Sequence, residues 1–270
     1  MQLAIQEDML PGRTILEKFQ QAKKLGLDGI EFWGYGLTAK VPEIAAAIEQ
    51  TGVVAASVNH GRQGRLLSPD RVEREAALEA LRQSIVNAVD IGAQGVIVAP
   101  HFGPSIVPDF TPYKSVRQLE YELLHNHLRS LADYVYAIGV ELYIEPINRY
   151  ETAFLNTLAD AAEVRRLVKN HPHVKIVADL FHMALEEHNM ATALREFGAD
   201  IGHVHLADSN RRLPGHGLID FAGMAAALTA AGYTGWAAFE CGEPGANQGR
   251  AGAYWADLPA SIALLKTAGF

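Results

Sequence analysis

The stretch Ala137-Ile138-Gly139-Val140-Glu141-Leu142-Tyr143-Ile144-Glu145 holds a helix end, a glycine turn, a short apolar run and a terminal acid. A glycine just past a helical pattern favours a left-handed C-cap, and a bounded run with β-branched residues reads as a strand. Working outward, the same unit repeats through the chain. The spacing predicts strands over Gln2–Gln6, Gly29–Trp33, Val53–Val58, Gly95–Pro100, Val140–Glu145, Val174–Asp179, Gly202–His205 and Trp236–Glu240. Between them, helical spacing of apolar positions covers Arg13–Lys24, Pro42–Gln50, Arg71–Asp90, Ser115–Ala137, Leu158–Lys169, Met190–Glu196, Phe221–Thr229 and Tyr254–Thr267. Gly26, Gly52, Gly92, Gly139, Gly198 and Gly232 stand where helices should end.

Strict strand–helix alternation means a parallel sheet, either open and doubly wound or closed. Eight units, with no Gly-rich dinucleotide fingerprint after the first strand, favour a single (β/α)8 TIM barrel over residues 1–270. The length of 270 residues is close to the roughly 250 typical of that fold. Hydrophobic residues at 49% and charged residues at 20% suffice for a barrel core with a ring of helices. The net charge of −8, without a Lys/Arg-rich tract, argues against a nucleic-acid partner. No apolar run approaches the roughly 20 residues of a membrane span. A single cysteine, Cys241, leaves no intrachain disulfide, no signal-peptide pattern opens the chain, and the cytoplasm is the expected location.

A barrel of this type builds its active site where the strands end, so the residues there carry the chemistry. They include Glu31, His60, His101, Glu145, Asp179, His205 and Glu240. Taken singly, each acid reads as a strand end paired with a nearby Lys or Arg. Three carboxylates and one imidazole in the same register on four successive strands point instead to one divalent cation held by Glu145, Asp179, His205 and Glu240. The mixed oxygen and nitrogen donors suit Mn²⁺, Mg²⁺, Co²⁺ or Zn²⁺ and leave room for substrate oxygens.

The segments Ile144-Glu145-Pro146-Ile147-Asn148-Arg149-Tyr150-Glu151, Ala178-Asp179-Leu180-Phe181-His182, His203-Val204-His205-Leu206-Ala207-Asp208-Ser209 and Phe239-Glu240-Cys241-Gly242 carry a family resemblance. The four ligand positions follow one another at spacings of 34, 26 and 35. In motif and spacing the chain resembles the xylose isomerase-like superfamily of sugar isomerases and epimerases, which includes ketose 3-epimerases and hydroxypyruvate isomerases. The resemblance implies that Glu145, Asp179, His205 and Glu240 bind the metal, that Glu145 and Glu240 also form the acid/base pair, and that His182 and Arg211 contact substrate oxygens. Relatives of this kind are commonly dimers or tetramers, so a homodimer or homotetramer is expected. The chemistry agrees: removing a proton next to a carbonyl requires stabilising an enediolate, and two carboxylates flanking the substrate can take and return that proton.

Further substrate contacts are expected at Glu151, His60, His101 and Trp33, and Asn148 is a candidate partner for a ligand carboxylate. Trp33, Phe102 and Phe181 are candidates for an apolar wall. The expected substrate is a small sugar or hydroxy-carbonyl compound. Two alternatives use a similar site. A dehydratase of the inosose or dehydroshikimate type begins with the same proton abstraction. A nuclease of the endonuclease IV type would use His60, His101 and His182, but the loop Asn210-Arg211-Arg212-Leu213-Pro214-Gly215-His216-Gly217 lacks the Asp-Xaa-His pair its zinc cluster needs.

Overall fold

Eight parallel strands close on themselves in chain order, β1 (Gln2–Gln6), β2 (Gly29–Trp33), β3 (Val54–Asn59), β4 (Gly95–Val98), β5 (Glu141–Ile144), β6 (Val174–Asp179), β7 (Ile201–Leu206) and β8 (Trp236–Phe239), with β8 pairing back to β1. This is the (β/α)8 barrel expected from the alternation. The computed structural model describes residues 1–242 and 250–270. Helices α1 (Ile15–Leu25), α2 (Val41–Thr51), α3 (Arg71–Asp90), α4 (Val116–Ile138), α5 (Leu158–Leu167), α6 (Leu180–Glu186), α7 (Met190–Phe197), α8 (Phe221–Ala230), α9 (Arg250–Tyr254) and α10 (Leu258–Ala268) connect the strands. No helix among the described residues is long and apolar enough to cross a membrane.

The barrel interior is filled rather than hollow. Tyr143 packs with Ile97 and Val177, and Trp236 packs with Ala4, Ala56 and Ala238. Both large rings need room opposite them. A Cβ on Gly29 would come within 2.8 Å of Trp236, and one on Gly202 within 2.4 Å of Tyr143, so glycine is required by close approach at both positions. The main core lies outside the barrel, between strands and helices, and includes Leu3, Ile5, Phe19, Ile44, Leu81, Leu128, Leu194 and Leu265. Helix starts are defined by local capping. Thr14 with Glu17, Ser115 with Gln118, and Thr157 with Asp160 form reciprocal capping boxes.

Several expected boundaries move. The strand expected over Gly95–Pro100 ends at Val98, and those expected over Val140–Glu145 and Trp236–Glu240 end one residue before the acids. The helix expected over Leu158–Lys169 stops at Leu167, because Lys169 and Asn170 turn left-handed at φ 55° and 52°. The helix expected over Tyr254–Thr267 is α10 and starts only at Leu258, with Pro259 in its first turn, while Tyr254 ends the separate α9. Gly198 is not a left-handed cap; its φ is −58°, and glycine is needed there because a Cβ would sit 2.2 Å from that of Ala231. Helix α6 was not anticipated, and it bears directly on the site.

Candidate metal centre

Each strand passes to its helix at the C-terminal mouth, and the polar side chains gather there. Glu145 follows β5 with its N–H still donating to the Val98 carbonyl at 2.9 Å, and Glu240 follows β8 with its N–H donating to Leu206 at 3.1 Å. Asp179 ends β6 and pairs in register with His205 on β7. His205 Nδ1 lies 3.0 Å from Glu145 Oε1, 3.2 Å from Glu240 Oε2 and 3.7 Å from Asp179 Oδ2. One donor atom from each of the four falls within 4.8 Å of the others, and all four residues are buried. The ligand set expected from the strand ends is therefore one cluster.

Three buried carboxylates around one ring nitrogen carry more negative charge than the protein neutralises comfortably. Burial opposes charge on His205, yet Glu240, Glu31 and Glu145 override it and hold its pKa well above the usual imidazole value. Burial, then the charge of Glu240, pushes Asp179 up to about 7. Burial also raises Glu145. Glu240 is subject to the same burial, but the charge and hydrogen bond of His205 outweigh it and hold the carboxyl at about 2. With protein atoms alone, the balance is made by an imidazolium and raised acids. A divalent cation fits this donor set, because it supplies the missing positive charge to all three carboxylates together.

Below the cluster, Glu31 on β2 is fully buried and faces the other side of His205. Its Oε1 lies 3.2 Å from His205 Nε2, and its Oε2 lies 3.0 Å from His203 Nε2. Ser57 Oγ donates to Glu31 at 2.6 Å and Gln6 Nε2 at 2.9 Å. Burial raises its pKa, but the two histidines more than compensate and keep it well below the carboxylate range. Glu31 thus holds the far nitrogen of His205 and turns Nδ1 towards the acids, the outer support that metal-binding histidines generally have. Gln6 also donates to Glu240 Oε1 at 2.8 Å, and Asn59 Nδ2 donates to the same oxygen at 3.0 Å.

Asp179 has a second role that explains α6. Its Oδ1 accepts from the N–H groups of Phe181 at 2.7 Å and His182 at 3.1 Å, capping the helix directly after the strand. The cap places His182 over the cluster, with Nε2 3.6 Å from Asp179 Oδ2. Asn148 donates to His182 Nδ1 from its backbone at 3.2 Å and contacts it from its amide at 2.8 Å, so the ring proton belongs on Nε2. Glu151 accepts from Arg211 Nη1 at 2.6 Å and Asn148 Nδ2 at 3.0 Å. Arg211 has a left-handed backbone, φ 60°, and its guanidinium lies 5.0 Å from the Phe181 ring centre. Strain of that kind in a non-glycine residue concentrates at functional sites.

A cavity of about 780 Å³ opens above these groups, within the range of small-molecule sites. Glu145, Glu240, His182, Glu151, Arg211, Trp33 and His60 line it. His60 is buried, bonded to Ser84 Oγ at 2.9 Å, and its pKa falls to about 4, so it is neutral. His101 is not brought to this cavity. Its Nε2 is 2.8 Å from the Pro104 carbonyl, and it lines a neighbouring one. Neither His60 nor His101 joins a metal-ligand group among the described residues. Gln6, Ser57 and Asn59 were missed by sequence reasoning. Gln6 and Asn59 do end β1 and β3, the same signal that found the ligands, but amides carry no charge pattern.

The sequence model of a family described as xylose isomerase-like TIM barrel matches residues 19–261. The 3-dehydro-D-guloside 4-epimerase of Escherichia coli (strain K12) is 33% identical over 243 residues, covering 89% of this chain and 92% of that protein. The D-psicose 3-epimerase of Agrobacterium fabrum is 29% identical, over 80% of this chain and 75% of that protein. Among solved structures, the apo 3-keto-D-glucoside 4-epimerase from E. coli matches with a TM-score of 0.86 at 30% identity, covering 99% of each chain. These relatives are sugar epimerases, and neither the nuclease nor the dehydratase reading is favoured by them.

Proposed function

Because the chain belongs to the xylose isomerase-like TIM barrel family and is an isomerase-class enzyme of the sugar-epimerase type, we propose that it inverts a carbon next to a ring ketone in a 3-keto sugar. The observation that carries this reading is the convergence of two buried glutamates, Glu145 and Glu240, on one side of His205 within a four-residue ligand set. Glu240 Oε1 is occupied by Gln6 and Asn59, which leaves Oε2 towards the cluster. One glutamate takes the proton from the carbon beside the carbonyl and the other returns a proton from the opposite face, so the configuration inverts. The reverse reaction exchanges their roles. Before the next turnover the glutamate that took the proton loses it to water and the other regains one from water, so protons balance over the cycle and no oxidant or reductant is needed.

Glu145, Asp179, His205 and Glu240 would hold the ion, for which we take Mn²⁺ given the oxygen-rich donors. The bound ion supplies positive charge that stabilises the oxyanion of the enediolate. His182, through its Nε2–H, and Arg211 hold substrate oxygens, and Glu151 fixes the Arg211 guanidinium. Trp33 closes one wall of the cavity.

The position of the reacting carbon follows the E. coli relative, a 4-epimerase that covers nearly the whole chain. A second reading, inversion at C3 of a free ketose, is supported by the likeness to the D-psicose 3-epimerase. Incubation of the Mn²⁺-loaded protein in D₂O with methyl 3-keto-glucoside, D-psicose, hydroxypyruvate and an inosose separates them. Deuterium at C4 of the glycoside supports the first reading, deuterium at C3 of the ketose the second, and loss of water a dehydratase. No exchange into any substrate, with metal loading verified, overturns the epimerase reading.

A further inference from the structure

A second cavity, of about 510 Å³, lies directly beside the one over the metal ligands, and the two share His60, Gly61, Arg62, Gln63 and Phe102 as a common wall. Two of these shared residues, Arg62 and Phe102, form a stacked pair. The Arg62 guanidinium lies 4.3 Å from the centre of the Phe102 ring, and its Nη2 donates to Glu151 Oε2 at 3.2 Å. Phe102 and Glu151 are held relative to each other by backbone bonds. Gly103 N–H donates to the Glu151 carbonyl at 2.7 Å, and Ala153 N–H donates to Gly103 at 3.0 Å. Arg62 is different: its side chain is 66% exposed, and the Glu151 contact is its one side-chain hydrogen bond among the described residues. An exposed pair of this kind contributes little to stability, so the guanidinium can exchange Glu151 for another acceptor at small cost.

The two cavities suit different parts of one molecule. The larger holds the reacting groups and is itself big enough for one sugar ring. The smaller is lined by the flat or branched apolar residues Pro100, Phe102, Pro104 and Ile106 together with the cationic residues Arg62 and Arg65. Apolar faces beside multiple N–H donors match a sugar ring, which presents C–H faces and a rim of hydroxyl acceptors. The His101 bond to the Pro104 carbonyl closes the loop that shapes this chamber, which gives that residue a place outside the reacting centre.

We propose that the substrate is a glycoside spanning both cavities, with the keto ring above the metal ligands and a second sugar ring in the chamber beyond Arg62 and Phe102. The proposal rests on the epimerase reading, in which a keto glycoside is already the substrate, and adds the group beyond the glycosidic bond. Arg62 is the specificity-determining residue: it lies between the two rings and donates to their oxygens in place of Glu151.

The test compares kcat/KM for three 3-keto substrates, the methyl glucoside, the phenyl glucoside and a glucosyl-glucose disaccharide, on Mn²⁺-loaded protein. Wild type should prefer the disaccharide over the methyl glycoside. Ile106→Trp, which fills the chamber, should lower the disaccharide-to-methyl ratio about tenfold or more through KM. Arg62→Ala, at an exposed position, should lower the same ratio several-fold and keeps the test available if the tryptophan variant does not fold. A wild-type ratio of one or less, or ratios unmoved in folded variants, overturns the subsite while leaving the epimerase reading intact. Preference for the phenyl glycoside alone overturns the sugar occupant. Absence of proton exchange with all three overturns the proposal together with the reading on which it rests.

Discussion

The two halves of the barrel mouth differ in charge, and the difference separates reaction from recognition. Strands β5 to β8 end in or next to Glu145, Asp179, His205 and Glu240, all ionisable and all in one cluster. Strands β1 to β4 end in or near Gln6, Trp33, Asn59, His60 and His101, which are amides, an aromatic ring and a neutral imidazole where His60 is concerned. The second half concentrates charge that only a cation and a proton can balance. The first half supplies hydrogen-bond donors that aim this charge, as Gln6 and Asn59 do for Glu240, and loops that shape the cavity. One exception sharpens the contrast. Glu31 belongs to the first half but sits beneath the cluster, where it supports a ligand instead of joining the acids above.

The strongest way to break this comparison is Glu240→Gln. Removing one of the two proton carriers should lower kcat by about 10²–10⁴-fold with a much smaller change in KM, measured by steady-state kinetics on metal-loaded protein. A loss below tenfold would remove Glu240 from the acid/base pair. Next, Glu31→Ala should weaken Mn²⁺ binding by about 10–100-fold in calorimetric titration, because His205 loses the acceptor that orients it. Unchanged affinity would show that Glu31 has no part in the metal site.

Away from the mouth, Gly198→Ala should cost about 1–3 kcal/mol in denaturant unfolding, since its methyl group would overlap Ala231. Activity per folded molecule should be unaffected, which separates stability at the base of the barrel from chemistry at its mouth. The smallest effect concerns His60. Its folded pKa of about 4 lies below the ordinary 6.5, so the unfolded chain binds more protons between those values. Stability from the neutral ring is therefore complete above pH 6.5 and declines as pH falls towards 4. Relative to His60→Gln, wild-type unfolding free energy should drop by about 1–2 kcal/mol between pH 7 and pH 5. A parallel pH dependence in the two proteins would mean that His60 is not held neutral.

Much of the second half was legible without coordinates. Glu145, Asp179, His205 and Glu240 each fall where an apolar run ends, and charged groups in that register are conspicuous against Val, Ile and Ala. Even there, the boundary residues shifted, because the acids continue the ladder through one backbone bond after the strand proper has ended. The first half was harder. Gln6 and Asn59 are ordinary polar residues in the chain, and only the closed barrel brings Gln6 to Glu240 across 234 positions. Asp179 was read as a ligand, but its capping of α6 depends on the direction its oxygen takes. The place of His101 after β4 points to a substrate contact, but the loop turns it into the adjoining chamber.

The sequence by itself determined the alternation of strand and helix, and with it which residues would stand at the mouth. Both follow from periodicity, and periodicity is a local property of the chain. What the tertiary structure alone decided is how those residues divide their contacts. His205 presents Nδ1 to three acids and Nε2 to Glu31, a residue 174 positions away, and that choice depends on ring closure and packing. The Arg62–Phe102 partition and the second chamber likewise exist only once loops distant in the chain are packed side by side, because cavities are properties of what the elements leave between them.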